Sequence, residues 1–219
     1  MAAPSATRRA PPTPEQIERG RVLFAQQCKF IWAAASVDEL PPDDLPEVAF
    51  AGRSNVGKSS LLNALVGQKA LANVSNTPGR TQKVTFFELG GRMRLVDLPG
   101  YGYAKVSKNK VDAWTQLIED YLRGRPSLRR TLLLIDSRVG MKDSDEAALT
   151  VLDESAVATS VVLTKVDKLR DKEVPEQTAD VEARLKAHAA AFPEVTLTSS
   201  SSGLGLPELR ADLASILSA

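Results

Sequence analysis

Gly52-Arg53-Ser54-Asn55-Val56-Gly57-Lys58-Ser59 fits G-x-x-x-x-G-K-[ST], the pattern of a loop that cradles phosphate. Gly52 and Gly57 let the backbone turn tightly, so that Arg53, Ser54, Asn55 and Val56 present successive N–H groups to one concavity. Lys58 supplies positive charge to β- and γ-phosphates, and the Ser59 hydroxyl is placed to bind Mg²⁺. The residues before the loop, Glu47-Val48-Ala49-Phe50-Ala51, read as a buried strand. Those after it, Ser60 to Val66, read as a helix whose N-terminus faces the phosphates.

Outward from this loop, strand and helix patterns alternate. Strands are expected at Lys29–Ala34, Lys83–Leu89, Arg92–Asp97, Thr131–Asp136, Thr159–Thr164 and Val195–Thr198. Helices are expected at Pro14–Gln27, Asn109–Arg123, Asp143–Glu154, Pro175–Ala190 and Leu206–Leu217. Gly90-Gly91 suits a hairpin turn between two of the strands. TLLLID and TSVVLT are continuous apolar runs, as strands buried on both faces require. The pattern predicts an α/β three-layer domain with a mostly parallel central sheet and helices on both faces. Ligands bind such sheets at the carboxyl ends of the strands, near a topological switch point.

Two further segments fall at strand ends. Asp97-Leu98-Pro99-Gly100 follows a strand; its carboxylate can hold Mg²⁺ through water, and the Gly100 N–H can meet a γ-phosphate. Thr164-Lys165-Val166-Asp167 also follows a strand. Asp167 can accept hydrogen bonds from guanine N1–H and its exocyclic amino group, which adenine cannot match. The aliphatic stem of Lys165 can lie along the base. Between the first helix and the Lys83 strand lies Thr77-Pro78-Gly79-Arg80-Thr81. A threonine hydroxyl there could complete a Mg²⁺ shell, and position alone leaves Thr77 and Thr81 equal.

Composition sets the bounds. The chain has 219 residues, 43% apolar and 25% charged, with net charge +1, as expected of one globular domain without a global basic field. A single cysteine, Cys28, excludes an intramolecular disulfide; it reads as a small buried hydrophobe. His188 is the only histidine, so neither a histidine triad nor a multi-histidine metal site can be built; it falls in a helix-like Ala-rich stretch. No apolar run approaches the roughly 20 residues of a membrane span. Residues 1–15 read as a disordered tail ahead of a domain spanning 16–219. Arg8 and Arg9 without acidic residues faintly suggest an organelle transit peptide, but Pro4, Pro11, Pro12 and Pro14 break the helix it needs.

The strings GRSNVGKS, TPGRT, Asp97-Leu-Pro-Gly-Tyr-Gly-Tyr-Ala-Lys105 and TKVD resemble the EngB/YihA family of Era-type GTPases over nearly the whole chain from about Gln16. The resemblance implies a Ras-like P-loop GTPase domain with one antiparallel strand in its sheet. It implies a cytoplasmic bacterial protein, monomeric off the ribosome, that binds GTP and GDP. Its implied role is assembly of the large (50S) ribosomal subunit, with rRNA as partner, and normal cell division and septation. Organellar relatives keep the transit-peptide alternative open. The resemblance selects Thr81, within Gly79-Arg80-Thr81-Gln82-Lys83, as the switch threonine on Mg²⁺ beside Ser59 and Asp97. It marks Thr198-Ser199-Ser200 as the last base-contacting loop. Thr164 stands where many GTPases have asparagine, a change expected to cost a hydrogen bond to the P-loop.

Tyr101 stands where many GTPases carry a water-orienting glutamine. Slow Mg²⁺-dependent GTP hydrolysis is therefore expected, resting on Lys58, Thr81, Gly100 and Asn55. In related Era-type GTPases an asparagine at the Asn55 place helps hold K⁺, which would supply the charge of an arginine finger; the other reading is a loop-structuring amide. Two basic groups are candidate rRNA contacts: Tyr101, Tyr103, Lys105, Lys108 and Lys110, and Arg123, Arg125, Arg129 and Arg130. Two rival functions use some of the same residues. A non-catalytic GTP-dependent scaffold for division proteins would show no ribosomal co-sedimentation, and a P-loop small-molecule kinase would lack the Thr-Lys-x-Asp guanine reader.

Overall fold

A computed structural model describes residues 10–72, 83–101 and 118–218. Seven strands form one sheet: β1 (Cys28–Ala34), β2 (Glu47–Gly52), β3 (Val84–Leu89), β4 (Met93–Asp97), β5 (Leu128–Asp136), β6 (Thr159–Thr164) and β7 (Ala191–Leu197). Their spatial order is β1-β3-β4-β2-β5-β6-β7. β2 pairs in parallel with both β4 and β5, and β5–β6 and β6–β7 are also parallel. β3 alone runs against its neighbours β1 and β4, as expected of one antiparallel strand. Gly90 and Gly91, at φ +59° and +64°, make the tight β3–β4 turn that only residues tolerant of positive φ allow.

The helices are α1 (Pro14–Phe24), α2 (Lys58–Leu65), α3 (described over 118–124), α4 (Asp143–Glu154), α5 (Glu173–Leu185) and α6 (Leu206–Ser215). α1 starts at Pro14, where Thr13 and Gln16 form a reciprocal capping box that satisfies N–H groups at the helix start. Alternate residues of the central strands point to opposite faces. Val48, Phe50, Leu132 and Leu134 meet α1, α2 and α6 through Phe24, Leu61, Leu65 and Leu209. Leu133, Ile135, Val161 and Leu163 meet α4 and α5 through Leu149, Val181 and Leu185. α1 sits so close to α6 that a Cβ on Gly20 would fall 2.5 Å from the Ala211 nitrogen, which accounts for a glycine inside that helix. Cys28 is buried, and burial pushes its thiol pKa up to about 12, in keeping with an unreactive hydrophobe.

Several boundaries differ from expectation: α1 stops at Phe24 rather than Gln27, β5 starts at Leu128 rather than Thr131, and α6 ends at Ser215 rather than Leu217; the ends of α5 and β7 have identifiable causes. α5 ends at Leu185 rather than continuing to Ala190. Asp153 accepts hydrogen bonds from the Ala190 N–H and meets the His188 ring, so bonds to α4 replace helical ones and His188 lies beyond the helix. β7 starts at Ala191 and includes Pro193. Proline cannot donate to a sheet ladder, and β7 tolerates it because it is an edge strand.

Candidate functional site

β2 lies between β4 and β5 although the chain reaches them in the order β2, β4, β5. Its carboxyl end is thus the switch point of the sheet, and the P-loop leaves from there into α2. Asn55 adopts φ +66° and Gly57 φ +103°; asparagine is among the few side-chain-bearing residues that enter the left-handed region readily. Gly52 leaves no room for a side chain: a Cβ would stand 2.8 Å from the Leu134 carbonyl oxygen. Lys58 Nζ pairs with Asp97 Oδ1 at the end of β4. Ser59 follows in the first turn of α2. The expected phosphate cation and the expected magnesium carboxylate are therefore adjacent.

The segment after β4 runs beside the P-loop. Leu98 N–H donates to the Phe50 carbonyl at 3.0 Å, and Leu98 and Pro99 are buried. A Cβ on Gly100 would come within 2.9 Å of Ser54 Oγ and 3.1 Å of Ser54 N, so only glycine fits without displacement. Tyr101 is bridged to Arg53: its N–H donates to the Gly52 carbonyl and its carbonyl accepts from Ser54 N–H, both at 3.3 Å. The Tyr101 phenol donates to Asp145 Oδ1 at 2.8 Å. Burial, reinforced by the Asp145 charge, raises its pKa far above the ordinary phenol value.

Thr164 ends β6 and is buried. Its hydroxyl donates to the Val56 carbonyl at 2.5 Å. The P-loop tether that threonine was expected to forfeit is thus present, made by a short side chain at close range. Lys165, at φ +58°, lies across the P-loop. Its Nζ donates to the Asn55 carbonyl at 2.7 Å and to Asp136 Oδ2 at 2.8 Å. Val166 is buried. Asp167 receives Ser199 Oγ at 2.7 Å and Ser201 Oγ at 3.0 Å on separate carboxylate oxygens. The Ser199 bond, then that of Lys168, with a further one from Ser201, lowers its pKa to about 2. Thr198 donates from both N–H and hydroxyl to the Leu163 carbonyl, at 2.8 and 3.0 Å. The last loop is thereby fixed to the end of β6, with Ser200 only partly buried.

The structure brings together the P-loop, Asp97–Gly100, Thr164–Asp167 and Thr198–Ser200. Lys83 is exposed just before β3. Gly79, Arg80, Thr81 and Gln82, like Thr77, Tyr103, Lys105, Lys108 and Lys110, lie outside the described residues. Of the arginine cluster, Arg125 is tied to Glu47 at 2.6 Å, Arg130 reaches Asp212 at 3.3 Å, and Arg123 meets Glu154 at 3.1 Å. Arg125 and Arg130 are thus drawn into internal contacts, whereas Arg123 and Arg129 stay exposed at the surface. Sequence reasoning missed Asp136, Asp145 and Ser201. Asp136 had a signal, since it ends an apolar strand as Asp97 does. Desolvation would raise its pKa, but bonds from Arg138 and Lys165 outweigh this and hold it at about 2.

A phosphate loop at the switch point, a D-x-x-G segment beside it and a carboxylate reader after β6 define a P-loop GTPase. Residues 47–165 match the family model described as 50S ribosome-binding GTPase. An EngB GTP-binding protein of Bradyrhizobium diazoefficiens is 55% identical over 203 residues, covering 92% of this chain and 94% of its own. An EngB GTP-binding protein of Caulobacter vibrioides is 55% identical over 201 residues, covering 92% and 88%. The chain belongs to the EngB family of GTP-binding proteins, which are P-loop GTPases. A crystal structure of an EngB protein shares the fold at TM-score 0.64 and 22% identity, covering 78% of this chain and 98% of that one. Era in complex with MgGDPNP and nucleotides 1506–1542 of 16S ribosomal RNA does so at TM-score 0.62 and 24% identity, covering 78% and 56%.

Proposed function

We propose that this EngB-family chain is a guanine-nucleotide switch that hydrolyses GTP slowly and acts in assembly of the large ribosomal subunit. The observation that carries the guanine assignment is Asp167, its carboxylate oriented by Ser199 and Ser201 beside a P-loop to which Thr164 and Lys165 are bonded. Guanine presents two donors to that carboxylate, whereas xanthine offers oxygen in place of the amino group. Asp167→Asn is expected to lower GTP affinity at least about a hundredfold, because the two matched hydrogen bonds to the base are lost, and to admit XTP. Undiminished GTP binding by Asp167→Asn overturns the guanine reading.

In this reading the P-loop N–H groups and Lys58 hold the phosphates, Lys58 exchanging Asp97 for them, and Gly100 N–H meets the γ-phosphate. Ser59, Asp97 and Thr81 would hold Mg²⁺: hydroxyl and carboxylate oxygens are the hard donors it takes, and Ser59 directly follows Lys58, which is paired with Asp97. Bound there, Mg²⁺ neutralises charge on the β- and γ-phosphates. Gly79, Arg80, Gln82 and Lys83 complete the first switch. The Tyr101 phenol is committed to Asp145, so it cannot orient water, and slow intrinsic turnover follows. Asn55 remains the residue through which K⁺ would act. GTPase rates equal in potassium and sodium buffers would sink that role.

The ribosomal assignment draws on the description of the matched family. Depletion of the protein is expected to accumulate immature 50S particles on sucrose gradients, with defective septation following. Normal profiles would instead favour a division scaffold. Removing charge at Lys105, Lys108 and Lys110 should weaken 50S binding and flatten its salt dependence. A monomer in the bacterial cytoplasm suits this role; among the described residues no helix is long and apolar enough to cross a membrane.

A further inference from the structure

Asp145, in the first turn of α4, has no solvent exposure, and a buried carboxylate is costly unless it is paired and hydrogen-bonded. Three donors converge on it. Arg53 Nε approaches at 3.1 Å, the Tyr101 hydroxyl at 2.8 Å and the Lys142 N–H at 2.9 Å. Arg53 is fixed further by a bond to the Gly140 carbonyl at 3.1 Å. Lys142 belongs to the framework that starts α4. Arg53 and Tyr101 do not: one is the second residue of the P-loop, the other directly follows the D-x-x-G glycine.

The backbone repeats this pairing. The parallel β2–β4 register ends at Phe50↔Asp97, and the bridge between Arg53 and Tyr101 restores parallel pairing beyond both strands, shifted by one residue. Gly100 sits in the intervening bend, pressed against Ser54. Its peptide is bounded on one side by the β4 strand end and on the other by a residue pinned through backbone and side chain alike.

We infer that Tyr101 is a positioning residue for γ-phosphate recognition: its phenol, bonded with Arg53 to buried Asp145, fixes the Gly100 peptide against the P-loop. GTP binding thereby depends on a contact that GDP binding does not need. The inference rests on the proposed role of Gly100 at the γ-phosphate. It gives the tyrosine in the place of a catalytic glutamine a task of its own, and it makes the start of α4 part of the nucleotide-sensing framework.

The test uses the full chain and two shape-conserving variants, Tyr101→Phe and Asp145→Asn. Dissociation constants for GDP and a non-hydrolysable GTP analogue are measured for each, together with the denaturation midpoint. Tyr101→Phe is expected to weaken the GTP analogue roughly tenfold, the scale of one hydrogen bond to a charged group, and to leave GDP within about twofold. Asp145→Asn should shift the ratio in the same direction. A lowered midpoint with an unchanged GTP-to-GDP ratio, or equal loss for both nucleotides, would assign the contact to stability alone and overturn the inference. Should Asp145→Asn fail to fold, Tyr101→Phe decides by itself. Failure of the wild-type chain to bind either nucleotide would bring down the guanine reading first, and this inference with it.

Discussion

The two ends of β2 make the same chemical arrangement serve different purposes. At its start, Glu47 is fully buried. It takes a two-pronged contact from Arg125 at 2.6 and 3.0 Å and the Tyr121 hydroxyl at 2.9 Å, with Arg94 at 3.6 Å. Beyond its end, buried Asp145 takes Arg53 and the Tyr101 hydroxyl. Each is a carboxylate held by an arginine and a tyrosine. Around Glu47 the partners come from β4, α3 and the turn before β5, and Arg94 and Arg125 both continue to the Pro42 carbonyl. Around Asp145 the partners are a residue of the phosphate loop and its bridged neighbour, and within that loop Asn55 and Gly57 adopt positive φ. The first network staples scaffold to scaffold. The second places a strained loop and the segment beside it. A buried ion pair says little about function until the segments it joins are known.

That contrast can be broken by substitution. Glu47→Ala should be the most damaging change, about 3–5 kcal/mol of stability, because it leaves Arg125 and Arg94 beside a buried gap. Denaturant titration measures it. Any protein that still folds should keep the GTP-to-GDP affinity ratio of the wild type; a shifted ratio would erase the distinction between the two ends. Thr164→Val comes next. It keeps the shape but removes the hydroxyl from the Val56 carbonyl, at a cost of about 1–3 kcal/mol for an unpaired buried group. Because this bond holds the P-loop itself, GDP and GTP analogue should weaken together, severalfold, in equilibrium titrations. Selective loss of one nucleotide would mean that Thr164, not Tyr101, is coupled to the γ-phosphate.

Most of the sheet was readable in advance because buried parallel strands are continuous apolar runs: TSVVLT and the helix Asp143–Glu154 have the bounds expected of them. The phosphate loop was readable because its glycines and lysine are needed at fixed spacing. Contacts across long sequence separations were not. Thr164 meets Val56 across 108 positions, and Arg53 meets Asp145 across 92. Nothing local in Tyr101 tells that its phenol turns away from the nucleotide loop to α4. Arg125 and Arg130 read as basic surface because their partners, Glu47 and Asp212, are distant in the chain. His188 read as helical because alanines around it carry no stop signal; what ends the helix is the α4 carboxylates.

Those carboxylates provide the smallest test, at a network that joins α4 to the turn after α5 and contains neither a P-loop residue nor Glu47. The His188 ring lies between Asp153 Oδ2 at 2.6 Å and Glu146 Oε2 at 2.8 Å, with Arg184 on Glu146 at 2.5 Å. Desolvation lowers the imidazole pKa, but the bonds to Glu146 and Asp153 outweigh it, and the net shift is upward. The folded state therefore holds the proton more tightly than the unfolded chain, whose histidine titrates near about 6.5. The stabilisation is complete below that value and is lost as pH rises through the folded-state pKa. For partly exposed partners it should be on the order of 1 kcal/mol or less. Unfolding free energies measured across the neutral to alkaline range should decline for the wild type and stay flatter for His188→Gln, the two curves converging at high pH. Nucleotide affinity should be the same for both. Parallel curves would mean that the ring is held neutral and contributes only packing between α4 and the turn after α5.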